Sequence, residues 1–344
     1  MSVGTGVALA DLTTLRLGGP ARRLVTVATE AELVDAVRGA DADGVPLLVL
    51  GGGSNLVVGD DGFDGLVVKV ATRGIGLTEE SFCSGVDVTV AAGEDWDELV
   101  AHTVDHGWSG LEALSGIPGL TGATPIQNVG AYGADVSQTI STVRTWDRHH
   151  ARIRTFFSVD CAFGYRTSVF KAQPDRYVVL DVTFQLPLGD YSAPIRYAEL
   201  ARALDVPLGT KVPADDLRAA VLALRAGKGM VLDAADHDTW SAGSFFTNPV
   251  LAADAVVPVG APRYAQPDGR GKTSAAWLIE HAGFGRGYGR GPVTVSTKHT
   301  LALTNRGGAQ TADLLTLARE VRDGVRQAYG ITLEPEPVLL GCTL

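Results

Sequence analysis

Apolar residues recur at helical spacing in "AELVDAVRGAD" (31–41), which predicts an amphipathic helix. The short runs "VPLLVL" (45–50) and "GLVVKV" (65–70) read as buried strands, and the alternation in "VDVTVAAG" (86–93) reads as another. "DWDELVAHTVDHG" (95–107) offers Asp95 as an N-cap, puts Trp96, Leu99, Val100 and Val104 on one face, and stops at Gly107. "TVRTWD", "RIRTFF" and "RYVVLDVTFQL" predict an antiparallel meander. Residues 190–213 carry four prolines or glycines and read as an insertion or a linker. Helices are predicted for "DDLRAAVLALRAG" (215–227), with Leu217, Val221 and Leu224 on one stripe, and for "SAAWLIEHAG" (274–283). "TVSTKHTLALTN" (294–305) reads as a strand pair or one long strand. "TADLLTLAREVRDGVRQAYG" (311–330) has the stripe Leu314, Leu317, Val321 and Val325, Thr311 as cap and Gly330 as stop. The class is α+β. Strands and helices alternate too irregularly for a barrel or a doubly wound sheet.

At 344 residues, the chain is long enough for two or three domains. The formal net charge of −10 argues against nucleic acid as a partner, because duplex binding relies on neutralising phosphates. An anionic ligand would need local Arg and Lys to overcome that field. Cys83, Cys161 and Cys342 lie far apart, so neither a disulfide framework nor a metal site is expected, and the compartment is a reducing one. The first 19 residues lack a basic stretch ahead of an apolar one, so no signal peptide is expected. No apolar run approaches the roughly 20 residues of a membrane helix. The expectation is a cytoplasmic protein without a membrane partner; the residues leave oligomeric state open, with a monomer favoured.

Two glycine-rich segments carry the candidate chemistry. "VLGGGSNLVVGDDGFDG" (49–65) follows a strand, and the turn Gly51, Gly52, Gly53, Ser54, Asn55 can present N–H groups to an anion. It lacks the third glycine and the following helix of a dinucleotide fingerprint, and it lacks the G-K-[ST] of a phosphate loop. Read alone, it is a tight turn between strands before it is an anion site. "SGIPGLTGATPIQNVGAYG" (115–133) has five glycines, two prolines and almost no charge. Long, apolar, ordered glycine loops are most often functional. Two of them suit an elongated, phosphate-bearing ligand such as a dinucleotide.

"GGGSNLVV", "GIPGLTGATPIQNVGAYG", "FGYRTSVFK" (163–171), "AGSFFTNP" (242–249) and "LEPEPVLLG" (333–341) occur in the order found in the UDP-N-acetylenolpyruvoylglucosamine reductase family, which the chain resembles from about Thr13 to Gly341. The resemblance implies an FAD-binding module of the vanillyl-alcohol oxidase (PCMH) type and a C-terminal α+β substrate-binding domain. The implied partition is residues 1–70, joined by the C-terminal strand 331–344, then 71–226, with the substrate-binding domain at 227–330. It further implies non-covalent FAD, NADPH as hydride donor, and reduction of an enolpyruvyl sugar nucleotide to UDP-N-acetylmuramate for peptidoglycan. Hydride goes to C3 of the substrate and a proton to C2.

By that resemblance, Gly51, Gly52, Gly53, Ser54, Asn55, Gly122, Asn128, Tyr165 and Arg225 contact FAD. On its own residues, Arg225 reads as a cation complementing a helix C-terminus. Arg166, Ser244 and Glu336 match the catalytic positions. Arg166 stabilises charge on the substrate and Glu336 polarises the enolpyruvyl group with it. Ser244 gives the proton, with Gly243 close to the flavin and Phe245 and Phe246 as anchors. Without the resemblance these are a solvated arginine, a strand-end carboxylate beside Glu334, and a turn serine. The chain departs from the family at Pro337, where an apolar branched residue is usual. Lys228, Asn248, Tyr264 and Lys272 match sugar-nucleotide positions, and Tyr197 matches a tyrosine that closes over the diphosphate in the longer subclass. Two other readings stand beside this one. One is a flavin oxidase or dehydrogenase of the same superfamily acting on a small alcohol or acid. It is disfavoured because no His or Cys sits in "GGGSNLVVG" to tether a flavin. The other is a binding module without turnover.

Overall fold

A computed structural model of the chain describes residues 2–81, 85–266 and 269–344; Cys83 lies outside them. The chain divides into two compact units. The first is Met1–Thr5, Arg22–Gly52 and Asp64–Gly227, and the second is Gly6–Ala21, Gly53–Phe63 and Lys228–Leu344.

The first unit holds two sheets. In one, the strands Ser2–Gly4, Pro20–Val27, Phe63–Val70 and Leu47–Leu50 lie in that order, the last two parallel. The helix Glu30–Ala42 follows Thr29, whose hydroxyl caps the Glu32 N–H. The other sheet is antiparallel, ordered Arg152–Phe157, Ile140–Asp147, Tyr177–Leu186, Gly85–Ala91, Ile75–Ser81. Here the expected meander is corrected. Ile140–Asp147 is the middle strand, and Tyr177–Leu186 pairs with it rather than with Arg152–Phe157. The apolar content explains the choice. Tyr177–Leu186 is buried almost throughout and takes a central place, whereas Arg152–Phe157 is mostly exposed and stays at the edge.

Asp95 caps the helix Trp96–Asp105 as expected, accepting from the N–H groups of Asp97 and Glu98. Trp96, Leu99 and Val100 point into the core, and the Trp96 indole donates to Leu114 O at 3.0 Å. This helix therefore anchors the start of the second glycine loop. Residues 190–213 are not a linker. They contain the helix Ala198–Ala203 and bury Ile195, Leu200, Ala201 and Val212 against Leu217 and Val221 of the helix Ala214–Gly227. Prolines and glycines there punctuate a small packed layer, and enough apolar residues lie between them to hold it together.

In the second unit, the helices Ala275–His281 and Thr311–Tyr329 pack with Leu15, Leu17, Val57, Phe245, Phe246, Val295 and Leu303 in one core. The segment 294–305 is a strand pair, Val293–Val295 with Leu303–Asn305. The long helix is capped by Gln310 in a box with Asp313, not by Thr311. Thr311 is already helical, and its hydroxyl donates to Val58 O at 2.6 Å. Gly330 ends the helix at φ 69°, as expected. Cys161 is buried, Cys342 is half-buried, and both are free thiols.

Candidate active site

The first glycine loop is shaped by close approaches. A Cβ on Gly52 would lie 2.8 Å from Gly119 Cα, and one on Gly53 would lie 2.0 Å from Leu12 O. Gly52 thus lies against the second glycine loop, within the first unit. Among the described residues no protein acceptor meets the N–H groups of Gly52, Gly53 or Ser54. Asn55 does other work. Its side-chain amide donates to Glu336 O at 3.4 Å, and its carbonyl accepts from Val338 N–H at 3.0 Å.

In the second loop, Gly122 donates its N–H to Ala92 O at 2.9 Å, and a Cβ there would lie 2.4 Å from Ala92 Cβ. Beside it, the Thr121 hydroxyl is fully buried with no hydrogen-bond partner among the described residues. Asn128, in left-handed backbone at φ 49°, is buried and bonded through both its amide nitrogen and its oxygen. It donates to Gly164 O at 3.2 Å and accepts from Ser137 N–H at 3.1 Å.

Those bonds set up the next candidate. Gly164 and Thr167 exchange backbone bonds of 3.1 and 3.4 Å, which leaves Tyr165 and Arg166 as the corner of a two-residue turn. Arg166 takes φ 54°, a conformation that a side chain with a Cβ adopts at a cost. Its guanidinium donates to Gly130 O at 3.0 Å, and its own carbonyl accepts from Lys171 Nζ at 3.0 Å. Ser168 caps the short helix Val169–Ala172 behind it. Tyr165 is exposed, with the Arg166 guanidinium 5.8 Å from its ring centre. Strain held by surrounding bonds is a mark of a functional corner.

Arg225 is half-buried near the end of its helix. Burial pushes its guanidinium below the usual range, while Tyr132 and Asp97 pull the other way. Tyr132 is itself pushed up to about 12, by burial first. Its ring meets that of exposed Tyr197 edge to face at 5.5 Å. Burial raises Asp97, but the bidentate Arg218 at 2.6 and 2.9 Å and the Gly116 N–H outweigh it and hold the carboxyl below its ordinary value. Tyr132 and Asp97 thus act on Arg225 in addition to its own helix end.

In the second unit, backbone pairing lays the segment after Ser244 alongside the segment that carries Glu336. Phe245 N–H donates to Leu301 O at 2.7 Å, Glu336 N–H donates to Phe245 O at 2.9 Å, and Thr247 N–H donates to Glu334 O at 3.0 Å. Phe245 and Phe246, each 1% exposed, anchor this ladder in the core while Ser244 stays half-buried. Gly243, at φ 71°, has open space where a Cβ would stand. Pro337 is buried and leaves the next strand intact. Val338–Leu340 starts one residue later and pairs in parallel with Leu56–Val58. The Ser244 hydroxyl lies 3.5 Å from His299 Nε2, a neighbour that the sequence pattern does not single out.

Tyr264 and Lys272 face each other across the strands Arg263–Ala265 and Gly271–Thr273, with Val250 opposite Lys272 on the other side. Directly opposed residues project from one face of a sheet. Asn248 lies two positions before Val250, and its side-chain oxygen accepts from Ala275 N–H at 2.9 Å. Lys228 is half-buried. Within the first unit, the residues present fit the phosphates of a flavin dinucleotide: the Gly52 N–H without a protein acceptor among the described residues, the buried Thr121 hydroxyl without a partner among them, and glycines where side chains are excluded. That donor set suits a pyrophosphate.

This is a flavin-binding fold. A profile described as "FAD binding domain" matches residues 21–149, and one described as "UDP-N-acetylenolpyruvoylglucosamine reductase, C-terminal domain" matches residues 234–340. The chain is 61% identical to the UDP-N-acetylenolpyruvoylglucosamine reductase of Cutibacterium acnes, over 100% of this chain and 92% of that protein. It is 59% identical to that of Thermobifida fusca, over 100% of this chain and 99% of the other. The crystal structure of the reductase from Thermus caldophilus superposes with a TM-score of 0.68 at 27% identity, covering 99% of both chains. The chain belongs to the UDP-N-acetylenolpyruvoylglucosamine reductase family.

Proposed function

We propose that this protein reduces the enolpyruvyl group of UDP-N-acetylglucosamine enolpyruvate to UDP-N-acetylmuramate, with FAD as cofactor and NADPH as hydride donor. The observation that carries the reading is the bond from Glu336 N–H to Phe245 O, which ties Glu336 to the residue that follows Ser244, in a chain of this family. FAD, when bound, would supply hydride transfer from NADPH to the substrate. The amides of Gly52, Gly53 and Ser54 and the Thr121 hydroxyl would hold its pyrophosphate, with Tyr165 and Arg225 as further contacts.

Asn248, Tyr264, Lys272 and Lys228 bind the diphosphate and sugar, and a cation with amide donors suits that charge. Tyr197 closes over it. Arg166 stabilises negative charge on the substrate carboxylate and enol oxygen, with Glu336 on the same group. Ser244 gives its hydroxyl proton to C2, a step that requires water to be excluded. FAD is held without a covalent bond. The three-part division into 1–70 with 331–344, 71–226 and 227–330 serves these roles, in a cytoplasmic monomer. No helix among the described residues is long and apolar enough to cross a membrane.

Stopped-flow measurement of the two half-reactions tests the central assignment. Ser244→Ala should be reduced by NADPH at a nearly normal rate. Its reoxidation by the enolpyruvyl sugar nucleotide should fall by roughly 10²–10⁴-fold. Equal slowing of both steps removes Ser244 as the acid.

A further inference from the structure

We propose that His299 is a positioning residue for Ser244: it donates from Nε2 to the serine oxygen and replaces the proton that the serine gives away. This rests on Ser244 being the acid of the reaction. The two groups lie 3.5 Å apart, and catalytic bonds of that length tighten when substrate is present.

The segment carrying His299 is fixed from several sides. Buried Ser296 accepts from the N–H groups of Lys298 at 3.0 Å and His299 at 3.2 Å. Buried Asp238 accepts from Thr297 N–H at 2.8 Å and its hydroxyl at 2.6 Å. Lys298 pairs with Asp236 at 2.5 Å, and the Thr300 hydroxyl donates to Glu280 at 2.8 Å. Leu301 O takes the Phe245 N–H, so the turn is docked directly beside Ser244. A loop tied this thoroughly holds an imidazole in one place.

The chemistry explains the need. A serine hydroxyl is a weak acid, and its conjugate base is costly wherever water is excluded. A hydrogen bond accepted from Nε2–H leaves the serine's own proton free to face the substrate. When the C2–H bond forms, the Oγ–H bond breaks. The doubly protonated imidazole then gives its Nε2 proton to Oγ and becomes neutral, and water restores it. One solvent proton enters per turnover, as reduction of the enolpyruvyl group by NADPH requires.

The test is a double-mutant cycle on FAD-loaded enzyme, read as reoxidation by the enolpyruvyl sugar nucleotide. His299→Ala should slow reoxidation about 10²-fold, the low end for acid–base assistance, and leave reduction by NADPH unchanged. His299→Gln keeps an amide donor but has no proton to transfer, so it should be as slow as His299→Ala. In a Ser244→Cys background, His299→Ala should cost little, because a thiol is a far stronger acid and needs no such help. Equal losses in the serine and cysteine backgrounds, or full activity in His299→Gln, overturn the proposal. The outcome for Ser244→Ala is separate: normal reoxidation there removes the serine assignment whatever His299 does.

Discussion

Arg166 and its turn are held by bonds that span 5 to 42 residues of sequence. The segments of Ser244 and Glu336 are held by backbone bonds that span 56 and 91 residues, Phe245 N–H to Leu301 O and Glu336 N–H to Phe245 O. The first arrangement is a local device: a strained corner, pinned at both ends by its own neighbourhood. The second is assembled from segments far apart in the chain, and each contributes backbone more than side chain. The difference decides what damages each. A local corner tolerates loss of distant packing but not of its own anchors. A ladder tolerates change in side chains that face away from the core and fails when an anchoring ring is lost.

The largest effect should come from the ladder. Phe245→Ala removes a fully buried ring from between Ser244 and Phe246 and should cost about 3–5 kcal/mol in a denaturant titration. The losses in stability and in reoxidation should appear together. At the corner they should separate. Arg166→Gly relieves a left-handed backbone, worth about 1 kcal/mol of stability, while reoxidation falls roughly 10²–10³-fold. A drop in melting temperature would show that the guanidinium anchors the turn and that strain is minor.

Smaller still is the change at the substrate's charge. Lys228→Ala should weaken sugar-nucleotide binding by about 1.5–3 kcal/mol in calorimetry, with flavin content unchanged. The last is a pH effect in the first unit. Arg176, against the opposing effect of burial, and then His150 hold the Asp147 carboxyl well below the usual carboxylate range. Its folded value is depressed, so its stabilisation is present above the ordinary Asp value of about 3.9 and is lost as pH falls below it. Asp147→Asn should be less stable than the parent at pH 7, and the gap should narrow below about pH 4.

Most of the elements were legible because periodicity reports burial. Asp95, Gly330 and the stripe through Leu314, Leu317, Val321 and Val325 could be read directly. Strand order was not legible, since three adjacent strand patterns fit either a meander or the observed order. Only the uneven burial of Tyr177–Leu186 and Arg152–Phe157 separates them. Thr311 passed for a cap because its hydroxyl is the right type, although its partner, Val58 O, lies 253 residues away. Tyr264 and Lys272 were singled out separately and prove to be cross-strand neighbours, which spacing alone does not reveal. His299 was hidden for the same reason. "STKHT" carries turn residues and one imidazole, and nothing in it points to residue 244.

The parallel pair of Leu56–Val58 with Val338–Leu340 has a consequence for synthesis. The bond from Asn55 to Glu336 spans 281 residues. At about 5–20 residues per second, the ribosome needs roughly 15–60 s to deliver the second partner after the first. For that interval Leu56, Val57 and Val58, all buried in the finished protein, have no strand to pair with. An unpaired apolar edge is a template for pairing with the wrong chain. The glycines and aspartates next in the chain, Gly59, Asp60, Asp61 and Gly62, put charge and a sharp turn at the end of that edge. Charge and a turn at the end of a strand are features that oppose such pairing.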